Sequence, residues 1–544
     1  NNDISVVMDV VYNHVYNANE FCINKLVPKY FSRYGKDGKL YEDSGCGNDT
    51  ASERSMVRKY IVDSVCYWAD EYHIDGFRFD LVGLLDVDTV NEIVAEVHKK
   101  HPGVMFYGEG WSMANDEVTG KYTMATQVNS KQTPGFAYFN DSIRDALKGH
   151  VFNDTAPGFI SGEQGDEEKI AKNFLGAADW CSSPSQTINY ASCHDNHTLI
   201  DRIANSRPDA SREDLIRMNN LAAAVYLMAE GVPFMQAGEE FLRSKVNEDG
   251  SFNHNSYNAG DTVNAIQWGN LEETANADVF NYYKGLIAFR KAHGALRLSN
   301  AEDVAKTISV VDGLDKNVVA LDIKGGINGE TADELFVIFN ANTSSTTVSL
   351  PDGEWSVCIN DKAAGTDALK KIKNGKATVA PISAMALVRT GNANTPQETK
   401  VGTKIKDKNS NGIYRVTKTG KHGTVEYQKP LSQKGTVTIP KTIKADGKTY
   451  KVTSIAANTF KNSKKLAKVV IGSNVAKIGK NAFYGCKSLK NIVINTTKLK
   501  KATVGAKAFK GTPAKAVVKV PKGKLKTYKK ILQAKGLNKK ATVK

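Results

Sequence analysis

IDGFRFD (Ile74–Asp80) is a short apolar run that closes on an acid, and the pattern returns in VMFYGEG (Val104–Gly110) and TINYASCHD (Thr187–Asp195). Each reads as a buried strand, with Asp80, Glu109 and Asp195 at the strand ends. Further runs of this kind are ISVVMDVV (Ile4–Val11), GFAYFND (Gly135–Asp141) and GVPFMQAG (Gly231–Gly238). Helical stretches separate them. In the segment 51–72, Val57, Tyr60, Ile61, Ser64, Val65 and Trp68 recur at helical spacing, and DVDTVNEIVAEVHKKH (86–101) opens on an aspartate N-cap. Strand and helix in alternation predict parallel strands with right-handed crossovers, and three acids on one rim of a (β/α)8 TIM barrel, where catalytic residues are expected. Acids so placed suit cleavage of a glycosidic bond.

Six such strands are legible where a closed barrel needs eight, and the first begins at about Ile4. The barrel (1–295) is therefore expected to lack its first two β/α units, to be unstable or aggregation-prone with its edges unpaired, and to be compromised in activity by itself. From 296 to 390 the pattern changes to short alternating strands with Gly, Asn and Asp turns, as in NVVALDI, ELFVIFNA and TTVSLPDG, predicting an antiparallel β-sandwich. GNANTPQETK (391–400) is polar and reads as a linker. Beyond it, VTSIAANTFKNSKKLAKVVIGSN and VAKIGKNAFYGCKSLKNIVINTT align at a 23-residue period: Ile455 with Ile478, Phe460 with Phe483, Leu466 with Leu489, Ile471 with Ile494. A weaker third copy places Phe509 at the aromatic position, so residues 452–521 predict a short solenoid.

Charge divides the chain. Residues 401–544 carry 36 Lys or Arg against 3 Asp or Glu, leaving 37 against 55 in residues 1–400. The basic part is nearly all lysine, with Arg415 its one arginine and no nucleic-acid motif, so attraction to an anionic cell envelope fits better than nucleic-acid binding, and a solvated surface is the plainer alternative. Seven cysteines (Cys22, Cys46, Cys66, Cys181, Cys193, Cys358, Cys486) stand without a CxxC pair, so neither a zinc site nor a disulfide framework is indicated, and they read mostly as small buried residues. With no HExxH or paired-histidine spacing, no metal ligand is assigned. No run of 18 apolar residues is present, which predicts no transmembrane segment, and NNDISVVMDV lacks the order of a signal peptide.

Four motifs, DVVYNH (Asp9–His14), GFRFDLVG (Gly76–Gly83), YGEGW (Tyr107–Trp111) and YASCHDN (Tyr190–Asn196), occur in the order of the α-amylase superfamily, glycoside hydrolase family 13. GEGW, the run FNDSIRDALKG, and LRSK followed by SYNAGD resemble its type I pullulanase branch, and the basic repeats resemble the leucine-rich repeats of bacterial surface proteins. The resemblance implies a secreted or cell-surface enzyme, with a signal peptide upstream, that cleaves α-1,6-glucosidic bonds in pullulan, amylopectin and limit dextrins by a retaining mechanism. It implies Asp80 as nucleophile, Glu109 as general acid/base and Asp195 as the third acid, with His14 and His194 on sugar hydroxyls. Trp111 is a candidate stacking platform, with core packing the alternative, and Tyr257, Asp261 and Asn264 resemble residues at donor-side sugar positions. Arg78, on the same strand face as Asp80, is expected to keep that aspartate ionised. Asn13 resembles a calcium ligand, which makes calcium optional, and no other cofactor is required. The rivals are an isoamylase-like or α-1,4-acting relative and a non-catalytic surface glycan-binding protein.

Overall fold

The computed structural model describes residues 4–176, 180–373, 375–390, 401–407, 410–419, 423–431, 435–445 and 448–544. The expected linker at 391–400 lies outside these residues. The chain divides into two compact units, Asn1–Gly391 and Asn392–Lys544.

In the first unit, six strands form one sheet in sequence order: β1 (Val7–Val10), β2 (Gly76–Phe79), β3 (Met105–Gly108), β4 (Ala137–Phe139), β5 (Thr187–Asn189) and β6 (Val232–Pro233). All five pairings are parallel, as the alternation required. Among the described residues, β1 and β6 are each paired on one side only. Helix α1 (Ser55–Tyr72) buries Val57, Ile61, Val65 and Ala69, whereas Tyr60 stands off that stripe and is exposed. Helix α2 (Val87–Lys100) starts where the Asp86 carboxylate accepts the Thr89 N–H at 3.0 Å, the expected N-cap.

Residues 301–307 are helical, so the antiparallel strands begin at Ile308 rather than at 296. They form a six-stranded sheet whose middle strand, β9 (Glu334–Asn340), follows β7 (Ile308–Val310) and β8 (Val318–Lys324), with a separate pair at Thr346–Ser349 and Lys376–Val379. Strand β9 is buried throughout, and its alternation divides two cores. Leu335, Val337 and Phe339 join the cluster of barrel-side Phe174, Leu221, Val225 and Leu286, while Phe336 and Ile338 face Trp355 and Leu387. The β-region and the barrel helices thus share one apolar core, which ties them into a single unit.

In the second unit, strands at Thr436–Ile439, Lys468–Ile471, Asn491–Ile494, Val517–Lys519 and Thr542–Val543 pair in parallel. Lys468 faces Asn491 and Ile471 faces Ile494. These partners are the ones the 23-residue period predicts. Phe460 and Phe483 stack at 5.3 Å and 8°, and Phe483 and Phe509 at 5.3 Å and 16°. Each copy turns through a left-handed residue at the same place: Asn462 (φ 59°), Gly485 (φ 69°) and Gly511 (φ 84°). Phe483→Ala removes the middle ring of this buried ladder. It is expected to cost about 3–5 kcal/mol in this unit, measured in the whole chain by hydrogen exchange of the amides around 469–494.

Cys358 and Cys486 are the buried cysteines, Cys66, Cys181 and Cys193 are half-buried, and Cys22 and Cys46 are exposed, so the expectation that most are buried is corrected. Among the described residues no disulfide joins any of the seven. No helix among the described residues is long and apolar enough to cross a membrane.

Candidate active site

Parallel pairing sets Asp9 of β1 opposite Arg78 of β2, and Arg78 opposite Tyr107 of β3. Asp80 and Glu109 follow the last residues of β2 and β3, where the Asp80 N–H donates to Val10 O at 3.0 Å and the Glu109 N–H to Phe79 O at 3.1 Å. Strand pairing therefore continues up to the two acids and fixes their backbones. Gly108 and Gly110 flank Glu109 because the chains approach closely there: a Cβ on Gly108 would lie 2.3 Å from Phe79 O, and one on Gly110 would lie 2.5 Å from the Tyr138 ring.

Arg78 is the hub. Its Nη1 donates at 2.9 Å to Asp9 Oδ1 and at 2.9 Å to Asp80 Oδ1, and its Nη2 lies 2.8 Å from Glu109 Oε1. Arg78 and Glu109 are each 6 % exposed. The Asp80 side chain, at 25 %, is more open. Burial pushes the Glu109 carboxyl up to about 7; the Arg78 cation opposes this, while the nearby charges of Asp80 and Asp195 add to it. The Leu81 N–H donates to Glu109 Oε2 at 3.2 Å, from a residue in the left-handed region (φ 38°). For leucine that is a strained backbone, and here it turns an N–H onto the buried acid.

Asn13 is fully buried, donating from Nδ2 to Asp80 O at 2.8 Å and to Asp80 Oδ2 at 3.1 Å, while its Oδ1 lies 2.5 Å from His14 Nδ1. Both ends of this amide are therefore engaged within the protein. His14 faces Asp80 through Asn13, and its burial lowers its proton affinity. His194 Nε2 lies 3.6 Å from Asp195 Oδ2, both half-exposed. A cavity of 160 Å³ opens onto Asp9, Arg78, Tyr107, Glu109, Phe139 and His194.

Trp111 packs on the small cluster of Phe139 and Tyr190, and the Arg144 guanidinium lies 5.7 Å from its ring centroid, occupying one face. Asn264 belongs to its own loop: its Nδ2 donates to Ser256 O at 2.6 Å and to Ala259 O at 2.9 Å. Asp261 and Tyr257 are exposed on the same segment, and none of the described contacts joins these three residues to the carboxylate group.

Two functional elements escaped the sequence reading. Asp9, the third carboxylate on Arg78, opens the DVVYNH motif, but no role was assigned to it from sequence. The buried Glu239 accepts from Ser192 Oγ at 2.5 Å, Tyr226 OH at 2.7 Å and Tyr283 OH at 3.0 Å, anchoring the chain three residues before Asp195. No motif spacing marks a residue that acts from so far along the chain.

Residues 40–268 match the α-amylase catalytic domain, residues 304–363 the pullulanase all-β domain, and residues 441–534 six copies of the BspA-type leucine-rich repeat region. Pullulanase from Bacillus subtilis is 37 % identical over 355 residues, 64 % of this chain and 48 % of that protein, and Arabidopsis thaliana chloroplastic pullulanase 1 is 34 % identical over 49 % of this chain and 33 % of its own length. The structure of Bacillus acidopullulyticus pullulanase superposes with a TM-score of 0.67 at 38 % identity, covering 71 % of this chain and 46 % of that one. Paenibacillus barengoltzii pullulanase, solved with maltohexaose and α-cyclodextrin, gives 0.65 at 37 % identity, covering 71 % and 59 %. The chain spans about half the length of the bacterial pullulanase heading these matches. The parallel sheet, the β-region and the carboxylate hub together resemble the catalytic part of α-amylase-class glycosidases. Over these residues the chain is similar to type I pullulanases, and residues 441–534 after them match a leucine-rich repeat region.

Proposed function

We propose that this chain hydrolyses α-1,6-glucosidic bonds in pullulan, amylopectin and limit dextrins with retention of anomeric configuration. The observation that carries the reading is the pair of carboxylates on one guanidinium, Glu109 buried and pushed up to about 7, Asp80 more open and ion-paired. Two acids in environments this different divide the roles of proton donor and nucleophile. Oxygens held at 2.9 and 2.8 Å by sibling nitrogens of one arginine stand close together. That favours a retaining pair, separated by about 5–5.5 Å, over an inverting pair at about 6.5–9.5 Å.

Glu109 gives its proton to the glycosidic oxygen as Asp80 attacks the anomeric carbon, so the C–O bond to the leaving chain breaks as the ester to Asp80 forms. Glu109, now ionised, takes a proton from water, whose oxygen displaces Asp80 and releases the sugar. His194 lines the cavity beside Glu109, Asp195 is its chain neighbour and His14 lies beside Asn13 at Asp80, and these three hold sugar hydroxyls. The free face of Trp111 is left for stacking.

Product analysis tests this: maltotriose from pullulan, released first as the α-anomer, is expected. Panose or isopanose would assign α-1,4 cleavage instead, and action on amylopectin without action on pullulan would assign the isoamylase-like activity. We also read the open six-stranded sheet as part of an eight-stranded barrel, the repeats as a short solenoid, and the lysine-rich unit as an envelope-binding element of an extracellular or surface protein. Salt-sensitive binding of that unit to anionic envelope polymer, and its detection on intact cells, check the last point.

A further inference from the structure

Beside the loop that carries Asp195, three segments distant in sequence meet at Asp154, His197 and His254. Asp154 Oδ2 lies 3.3 Å from His197 Nε2 and 2.9 Å from His254 Nδ1, and one ligand atom from each residue lies within 4.8 Å of the others. The two rings stand edge to face at 5.2 Å. His197 is 3 % exposed, and its Nδ1 and the second oxygen of Asp154 are buried without a hydrogen-bond partner among the described residues. The one other polar side chain recorded at the histidine nitrogens is Asn205, whose amide lies 3.3 Å from His197 Nε2 and would give way to a ligand there.

The site is built before any ligand arrives. Buried Arg202 donates to the carbonyls of Asn153, Asp154 and Ala156, which fixes the loop bearing Asp154. On the far side, Asn255, next to His254, accepts the N–H of Asn196 at 3.2 Å; Asn196 follows Asp195 directly and sits in the left-handed region (φ 59°). Two imidazoles and one carboxylate are a zinc donor set with a fourth position left for water, whereas calcium and magnesium take oxygen ligands throughout. Around a tetrahedral zinc with ligands at about 2.0–2.1 Å, donor atoms stand roughly 3.4 Å apart. The observed 3.3 and 2.9 Å need only small side-chain adjustments to reach this.

We propose that Asp154, His197 and His254 bind one Zn²⁺ ion, which braces the Asp195 loop against two neighbouring loops. The proposal is independent of the substrate assignment, because it is read by binding. The untagged 544-residue chain, stripped with chelator and titrated with Zn²⁺ against a chromophoric competitor, is expected to take up one equivalent at this site. Co²⁺ in its place is expected to give the intense visible bands of four-coordination without a thiolate charge-transfer band. His254→Ala, at an exposed position, and His197→Gln are each expected to weaken uptake by at least about 100-fold with the circular dichroism unchanged. Zinc is also expected to slow hydrogen exchange of the 194–197 amides. Uptake that both variants leave intact, weak six-coordinate cobalt bands, a thiolate band, or exchange at 194–197 that ignores zinc would each overturn the proposal.

Discussion

Glu109→Gln is expected to lower kcat/KM on pullulan by about 10²–10⁴-fold, the usual contribution of a positioned acid/base. The substitution keeps the shape of the side chain and removes its proton. With Glu109 pushed up to about 7, the protonated form that donates to the leaving oxygen is lost as pH rises through neutrality. The unsubstituted enzyme should therefore show an alkaline limb near pH 7 that is absent from the residual activity of the variant. Asp80→Asn, measured beside it, removes the nucleophile and should abolish turnover while sparing oligosaccharide binding; undiminished hydrolysis in either variant contradicts the assigned role.

The same group makes a stability prediction of definite sign. Because the folded state holds Glu109 above its ordinary 4.5, its neutral form favours folding; that contribution is fully present below about pH 4.5 and is lost as pH rises through about 7. Glutamine stays neutral. Calorimetry should find Glu109→Gln melting above the unsubstituted protein at pH 8 and level with it at pH 4.

Arg78→Met is expected to remove about 3–5 kcal/mol of stability and to eliminate hydrolysis. The arginine is 6 % exposed and is the cation on Asp9, Asp80 and Glu109 alike. Without it, three carboxylates face one another in a partly buried space, and removal of one partner from a buried ionic group is far more costly than the net worth of the pairing. Denaturant unfolding at pH 7 measures the loss. Asp9→Asn in the Arg78→Met background should restore part of it by deleting one unpaired charge, and the four-way cycle isolates the Asp9–Arg78 coupling. Strictly additive effects would show that these two groups do not act as a unit.

Much of the architecture is local and was legible from residue order. Side chains alternate with period 2 in strands, so apolar runs such as IDGFRFD located all six parallel strands; Asp80 and Glu109 directly follow their strands, whereas the strand expected to end at Asp195 stops at Asn189 and leaves that acid on the loop beyond it. The 23-residue period identified the facing pairs Ile471–Ile494 and Ile455–Ile478, because each repeat stacks on a copy of itself. Strand lengths were less legible: GVPFMQAG pairs only at Val232–Pro233.

What only the tertiary structure decided lies in contacts between segments remote in sequence. Arg78 was read as the partner of Asp80, two residues away; that it also grips Glu109 and Asp9 depends on the lateral register of β1, β2 and β3, which no single strand encodes. That Asn13 donates to Asp80 is likewise a tertiary result, because folding brings its amide nitrogen onto an acid 67 residues away. The barrel and β-region became one body because β9 has two apolar faces, and only packing shows that helices cover one of them. Short-range periodicity thus determined which elements form and set Asp80 and Glu109 at their ends, while the loop position of Asp195 and the charges these acids feel arise from neighbours that folding alone brings within reach.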